Sequence, residues 1–261
     1  MSSTYKKIIS KTDYVAPQDW VQIKTIDMHP EGKAPAVFIC ETLLGVGGQI
    51  PLPKNYLKTV YNYVKKAEGV CIDDEVQVGF DRVGDAFWGF ELQDVVPDIV
   101  VLGKPIGYGH PLAAVIVSNE IADAFNNGLE YFNTFGGNPV SMTAGLAVLD
   151  VIREEEMQEH AKEVGNHLMD GLRELMQKHP IISDVRGHGL FIGAEMVKDR
   201  TTMEPTIPEI DILVVKMKEY GFLLSTDGPL YNVLKIKPPM PFNKQNTDEM
   251  VQILDFILSE I

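Results

Sequence analysis

The chain has 261 residues, 45% hydrophobic and 23% charged, the make-up of a folded globular protein with room for one large core or two smaller ones. Its formal net charge of -14 repels phosphate backbones and anionic lipid surfaces, so neither nucleic acid nor a membrane is an expected partner. No apolar stretch approaches a membrane span, the opening MSSTYKKIISKTDY carries no targeting pattern, and Cys40 and Cys71 sit in apolar runs without metal or redox spacing. A soluble, intracellular protein with reduced, buried thiols is expected, in the cytoplasm or the mitochondrial matrix.

Residues 1–35 are polar and weakly patterned. From Ala36 the texture changes. AVFICE is a short apolar run, NYLKTVYNYVKKA has helical spacing through Tyr56, Leu57, Val60, Tyr61 and Val64, and GVCIDDEV and DIVVLG are two further apolar runs. Apolar runs alternating with a helix predict a parallel or mixed sheet, in which active sites gather at strand ends. Beyond Asn138-Pro139 a long helical pattern begins, with Met157, Ala161, Val164, Leu168, Leu172 and Leu175 as its core stripe, and His179-Pro180 ends it. Then come a strand (GLFIGAEMV), a helix (IDILVVKMKEY, closed by Gly221), strands (FLLST and NVLKIKPP) and a last helix from an Asn/Thr-rich start. Three segments are expected: 1–35, an α/β domain over 36–144, and a smaller α+β domain over 145–261.

Four features bear on chemistry. GKPIGYGHP places Lys104 at the mouth of the run Ile99-Val100-Val101-Leu102. A solvated loop lysine is the ordinary use of such a position. CIDDEVQVGF runs an apolar strand into Asp73, Asp74 and Glu75, acids that are costly there without partners, although at least one is expected to cap the next turn and face water. YFNTFGGNPVS sets Thr134 and Gly136-Gly137 before a helix start, a geometry able to hold an anion and equally explained as a turn. DVRGHGLFIG carries Arg186, the residue type that grips a carboxylate bidentately, with a surface ion pair as the commoner use.

A strand-end lysine, a strand-end aspartate 30 residues upstream, an anion seat and a carboxylate-gripping arginine are together the parts that a pyridoxal phosphate enzyme needs. A lysine amine condenses with the cofactor aldehyde. An aspartate against the pyridine nitrogen keeps that nitrogen protonated, so that the ring accepts the electrons left when a substrate Cα–H bond breaks.

The motifs ICETLLGVGGQIP, DEVQVGF, VPDIVVLGKPIGYGHPLA, EYFNTFGGNPVS, DVRGHGLFIGAEMVKDR and LLSTDGP carry a specific resemblance that runs from about Ala36 to the C-terminus. The chain resembles the C-terminal portion of the class III aminotransferases. Within them it is most similar to the ethanolamine-phosphate and phosphohydroxylysine phospho-lyases, formerly alanine-glyoxylate aminotransferase 2-like proteins. The resemblance implies a partial transferase fold type I, an incomplete mixed-sheet large domain with a smaller α+β domain. It implies Lys104 as the Schiff-base lysine, Asp74 as partner of the pyridine nitrogen, Val76 against the ring face and Gln77 at the ring hydroxyl. It also implies Thr134 at the cofactor phosphate of the neighbouring subunit of a homodimer, and Arg186 on the carboxylate of a small amine or amino-acid substrate, possibly phosphorylated.

Asp73 stands where the family usually has a small residue, Asp81 where it often has glycine, and Tyr108 where the subgroup usually has asparagine. The family's N-terminal half, with its phosphate loop and ring-stacking aromatic residue, has no counterpart in residues 1–35. The expected function is that of a pyridoxal phosphate enzyme, a transaminase or amino-phosphate phospho-lyase, represented by its C-terminal share. An alternative is a catalytically silent dimerisation or regulatory module of the same descent. A dinucleotide-binding domain is a third, and GVGGQI lacks the glycine spacing it requires.

Overall fold

The computed structural model describes residues 35–261. Its first layer is a four-stranded sheet in the order β1 (Val37–Cys40), β4 (Val70–Asp74), β5 (Ile99–Leu102), β6 (Ala114–Val117). The first three strands run parallel and β6 lies antiparallel to β5, so the sheet is mixed, as expected from the alternation of apolar runs and helix. Between β1 and β4 come a small ladder, β2 (Leu43–Leu44) with β3 (Ile50–Pro51), and the helix α1 (Tyr56–Lys66). Leu57, Val60, Tyr61 and Val64 form one stripe of α1 and pack on Cys71, with Phe38 and Cys40 beside it. Cys71 is buried, Cys40 only partly so, and both are free thiols.

Side chains alternate across a strand, and the register carries that alternation through the sheet. Phe38, Cys71 and Asp73 turn toward α1. Ile39, Ile72, Ile99 and Val117 are register partners on the opposite face, and there Val37, Ile39 and Val115 are exposed by 53%, 58% and 62%. Among the described residues nothing covers that face.

The chain continues through the short α2 (Asn119–Phe125) into α3 (Pro139–Glu154), which starts with Asn138 as N-cap to Ser141 and Pro139 in the first turn. The predicted long helix is two helices. Glu156 takes a left-handed conformation, φ 49°, and separates α3 from α4 (Met157–Lys178). The core stripe from Met157 to Leu175 is buried as predicted, and α4 stops at His179 before Pro180.

The second layer is antiparallel: β10 (Ser225–Asp227), β11 (Val233–Ile236), β8 (Phe191–Asp199) and β7 (Ile182–His188), with β9 (Glu204–Pro205) paired to β8. Leu168 and Leu172 of α4, Leu213 of α5 (Ile207–Glu219) and Leu254 of α6 (Lys244–Leu258) bury against Ile192, Ala194 and Leu234. The predicted strand FLLST is shorter than expected: pairing begins only at Ser225, and Leu223 is exposed.

Candidate active site

The parallel pair β4 and β5 matches Asp74 with Val101, so the carboxyl ends of both strands open on the same edge. The Glu75 N–H donates to the Val101 carbonyl at 3.0 Å and prolongs that pairing by one residue. β5 leaves through Gly103 into a short 3-10 turn, Lys104–Ile106, with Lys104 at φ 24°. A Cβ at Gly103 would stand 3.2 Å from a methyl of Val76, so the glycine lets the two strand exits close on each other.

Three consecutive acids leave β4, and the pleat gives each a different setting. Asp73 points toward α1, has no solvent exposure, and accepts from the Thr42 hydroxyl at 3.1 Å and the Tyr61 hydroxyl at 3.2 Å. Burial pushes its carboxyl up to about 7. Asp74 points to the open face, only partly buried, and one of its oxygens accepts from the Val76 N–H at 3.0 Å. Glu75 accepts from the Gly89 and Phe90 N–H groups, at 3.0 Å each, and holds the 3-10 turn Gly89–Gln93 against the strand exit. It caps a turn as expected of one of the three acids, but it is fully buried instead of facing water, and burial followed by the Asp73 charge pushes it up to about 8.

Past the acids, Val76, Gln77 and Arg82 line a cleft of about 280 Å³ together with Lys104, Tyr108 and Lys237. The Lys237 ammonium donates to Gln77 Oε1 at 2.7 Å and sits 3.7 Å from the ring centre of Phe191. Burial, then repulsion from Lys235, pulls Lys237 down to about 7. One Arg82 guanidinium nitrogen donates to the carbonyls of Leu190 and Pro238, at 3.1 and 2.9 Å, which anchors it at the cleft wall. Gly45 permits the Gln77 position, because a Cβ there would lie 2.4 Å from its amide nitrogen.

Of the residues singled out in the sequence, Lys104, Val76 and Gln77 line this one cleft, and Asp74 stands at the adjoining strand end. Thr134 and Arg186 do not line it. Thr134 is exposed in the loop before α3, ahead of Gly137 at φ 71°. Arg186, on β7, is committed within the chain: one terminal nitrogen donates to Asp184 and Glu195, both at 2.7 Å, and its other nitrogens donate to the Gly48 carbonyl. Sequence reasoning missed Lys237 and Arg82. A signal for the first was present, since Lys237-Pro238 repeats the lysine-proline step of Lys104-Pro105 at another strand exit.

The sequence model of the family described as Aminotransferase class-III matches residues 17–258. The chain belongs to this family. It is 49% identical over 223 residues to a fruit fly (Drosophila melanogaster) protein named alanine-glyoxylate aminotransferase 2-like, covering 85% of this chain and 45% of the relative. Its identity to ethanolamine-phosphate phospho-lyase homolog 1 of Caenorhabditis elegans is 45%, covering 86% of this chain and 49% of that protein. Among solved structures, a phospholyase from Arthrobacter in complex with phosphoethanolamine superposes with a TM-score of 0.87 at 36% identity, over 94% of this chain and 58% of that one. The architecture is thus a partial class III aminotransferase fold, mixed sheet and antiparallel sheet together, and the chain spans about half the length of the curated relatives it matches.

Proposed function

We propose that the chain supplies the C-terminal share of a pyridoxal phosphate site that works on a small primary amine carrying an anionic group, with phosphate elimination as the favoured outcome. The observation that carries this reading is the cleft at the strand exits, which Lys104 lines together with two further basic side chains, Lys237 and Arg82, next to the end of β4 where Asp74 stands.

The residues fit the cofactor. Lys104 would hold its aldehyde carbon, Asp74 its ring nitrogen, Val76 one ring face and Gln77 the ring hydroxyl. Asp74 has one oxygen tied to Val76 N–H, which fixes the carboxylate and leaves the other oxygen to accept from a protonated ring nitrogen. Bound there, the cofactor supplies an electron sink for the pair released when a bond at the substrate Cα breaks. Once the substrate amine has displaced it from that carbon, the freed Lys104 Nζ would take the Cα proton as general base as that bond breaks. Lys237 and Arg82 favour departure of a phosphate from the neighbouring carbon, since the leaving oxygen carries its electron pair away as an anion. After water adds, the products are an aldehyde, ammonia and inorganic phosphate.

Thr134, exposed and outside the cleft, is assigned to the cofactor phosphate of a second copy in a homodimer. Arg186 is assigned to a substrate carboxylate, which it meets by giving up Asp184 or Glu195. Transamination shares the Cα deprotonation and differs in where the proton returns. The two are separated by supplying phosphoethanolamine to the chain completed by the N-terminal half of a relative. Release of inorganic phosphate without a keto-acid acceptor is expected. Turnover that requires the acceptor and leaves the phosphate attached overturns the elimination reading, and no turnover of either kind favours a silent module. Borohydride fixation followed by peptide mapping is expected to label Lys104, and a label on Lys54 or Lys65 would remove the assignment.

A further inference from the structure

The loop that leaves β4 carries an acid with no part in the site described above. Asp81 is 4% exposed, and its Oδ1 has no hydrogen-bond partner among the described residues. Its backbone is left-handed, φ 64°, a conformation that aspartate adopts more readily than most residues with a side chain. Burial, then the charge of Glu91, pushes its carboxyl up to about 6, so it is still an anion above neutrality. Buried carboxylates are ordinarily paired, and an unmet oxygen on one calls for an explanation.

Asp81 lies at the wall of a cavity of about 370 Å³ at the break between α3 and α4, which Ile152, Arg153, Glu156, Gln158 and Glu159 also line. Glu156 is itself held left-handed at that break. The cation of the group is engaged elsewhere, since Arg153 is 2.8 Å from Asp150 and 3.9 Å from Glu154. Among the described residues no group of three or more His, Cys, Asp or Glu is placed to hold a metal ion. An ammonium group needs no convergent ligand set, because it brings three donors that separate acceptors satisfy. Ile152, buried on the same wall, suits the methylene stem of such a ligand.

We propose that this cavity is a binding site for a short aliphatic amine or diamine, its ammonium nitrogen held by Asp81 with Glu156 and Glu159 as flanking acids.

The test is equilibrium dialysis of the chain co-expressed with the N-terminal half of a relative, its Lys104 cleft filled with borohydride-reduced pyridoxal phosphate, against radiolabelled 1,4-diaminobutane in about 0.15 M salt, where diffuse attraction to a net-negative surface is screened. One saturable site is expected. Asp81→Asn should weaken it by about tenfold or more, and Glu159→Gln, an exposed substitution that leaves the core intact, by about two- to fivefold. Arg153→Gln should leave the affinity unchanged. Absence of saturable binding, or wild-type affinity in both acid variants, overturns the proposal. Binding that appears only in Arg153→Gln also overturns it, by making Arg153 the resident partner of Asp81.

Discussion

Asp73 and Asp74 are neighbours with identical side chains, and the period of two in a β-strand sends them to opposite faces with opposite electrostatics. Asp73, sealed behind α1, is satisfied by two hydroxyls, whereas Asp74 keeps an oxygen free at the open strand end. An asparagine at 74 is nearly isosteric and cannot keep a proton on a ring nitrogen. Asp74→Asn is therefore expected to lower turnover of the completed enzyme by about 100-fold or more, and Asp73→Asn to do far less. Equal losses would show that the wrong carboxylate has been assigned. Lys237 gives a second prediction. With its ammonium held down to about 7, it loses charge as pH rises, so binding of phosphoethanolamine should weaken between about pH 7 and 9, where the phosphate is already doubly charged. In Lys237→Arg that window should be flat, because a guanidinium stays charged throughout. Isothermal titration across the window decides it, and the same slope in both proteins would sink the role.

At the scale of elements, the parts read correctly from sequence are those whose pattern is local. The β-branched run Ile99–Leu102 and the stripe from Met157 to Leu175 announce a buried strand and an amphipathic helix, and both are present. β7 was not legible, because its ISDVRGH mixes charges and a glycine into a strand whose place is set by pairing to β8. The split between α3 and α4 was not legible either, since it rests on the backbone of a single glutamate, an ordinary helix former. At the site, Lys104 and Asp74 were visible as strand-end residues, while the approach of Lys237 and Arg82 depends on contacts between segments some 150 residues apart, such as Lys237 with Gln77 and Arg82 with Pro238. The buried acids make a prediction for the β4–α1 layer. Asp73 and Glu75 have carboxyls raised to about 7 and about 8, so the folded chain holds protons that the unfolded chain gives up at lower pH. Their contribution is complete below the ordinary carboxylate range and is lost as pH rises through those raised values. Denaturant midpoints should therefore fall between about pH 4.5 and 8, and less steeply in Asp73→Asn. A midpoint that rises across that range in the wild-type chain would contradict this.

For the whole molecule, the open face of the mixed sheet sets the behaviour of the 261-residue chain expressed by itself. Val37, Ile39 and Val115 stand exposed on one side of the sheet, and Val140, Leu146 and Leu149 are exposed on α3, the last two by 62% and 42%. Each such side chain gains roughly 1.5 to 3 kcal/mol when fully buried, so a surface that gathers several of them favours association over solvation. The edge strands add backbone donors and acceptors without a strand partner among the described residues, where β1 pairs only with β4 and β6 only with β5. A net charge of -14 opposes self-association, but at about 0.15 M salt that repulsion is largely screened beyond about 8 Å, so copies approach close enough for apolar contact to decide. The chain alone is accordingly expected to associate or to be poorly soluble, and to hold pyridoxal phosphate weakly. By the resemblance, the family's phosphate loop would belong to the half of the fold that the chain does not match, and each charge-assisted bond it would make is worth about 1.5 to 3 kcal/mol. Co-expression with the N-terminal half of a relative should cover the sheet face and restore both a discrete oligomer and cofactor binding. Size-exclusion chromatography combined with a pyridoxal phosphate titration reads both at once. A soluble, discrete homodimer of the chain alone, binding one cofactor per chain at about micromolar affinity, would mean that the open face is covered without the other half.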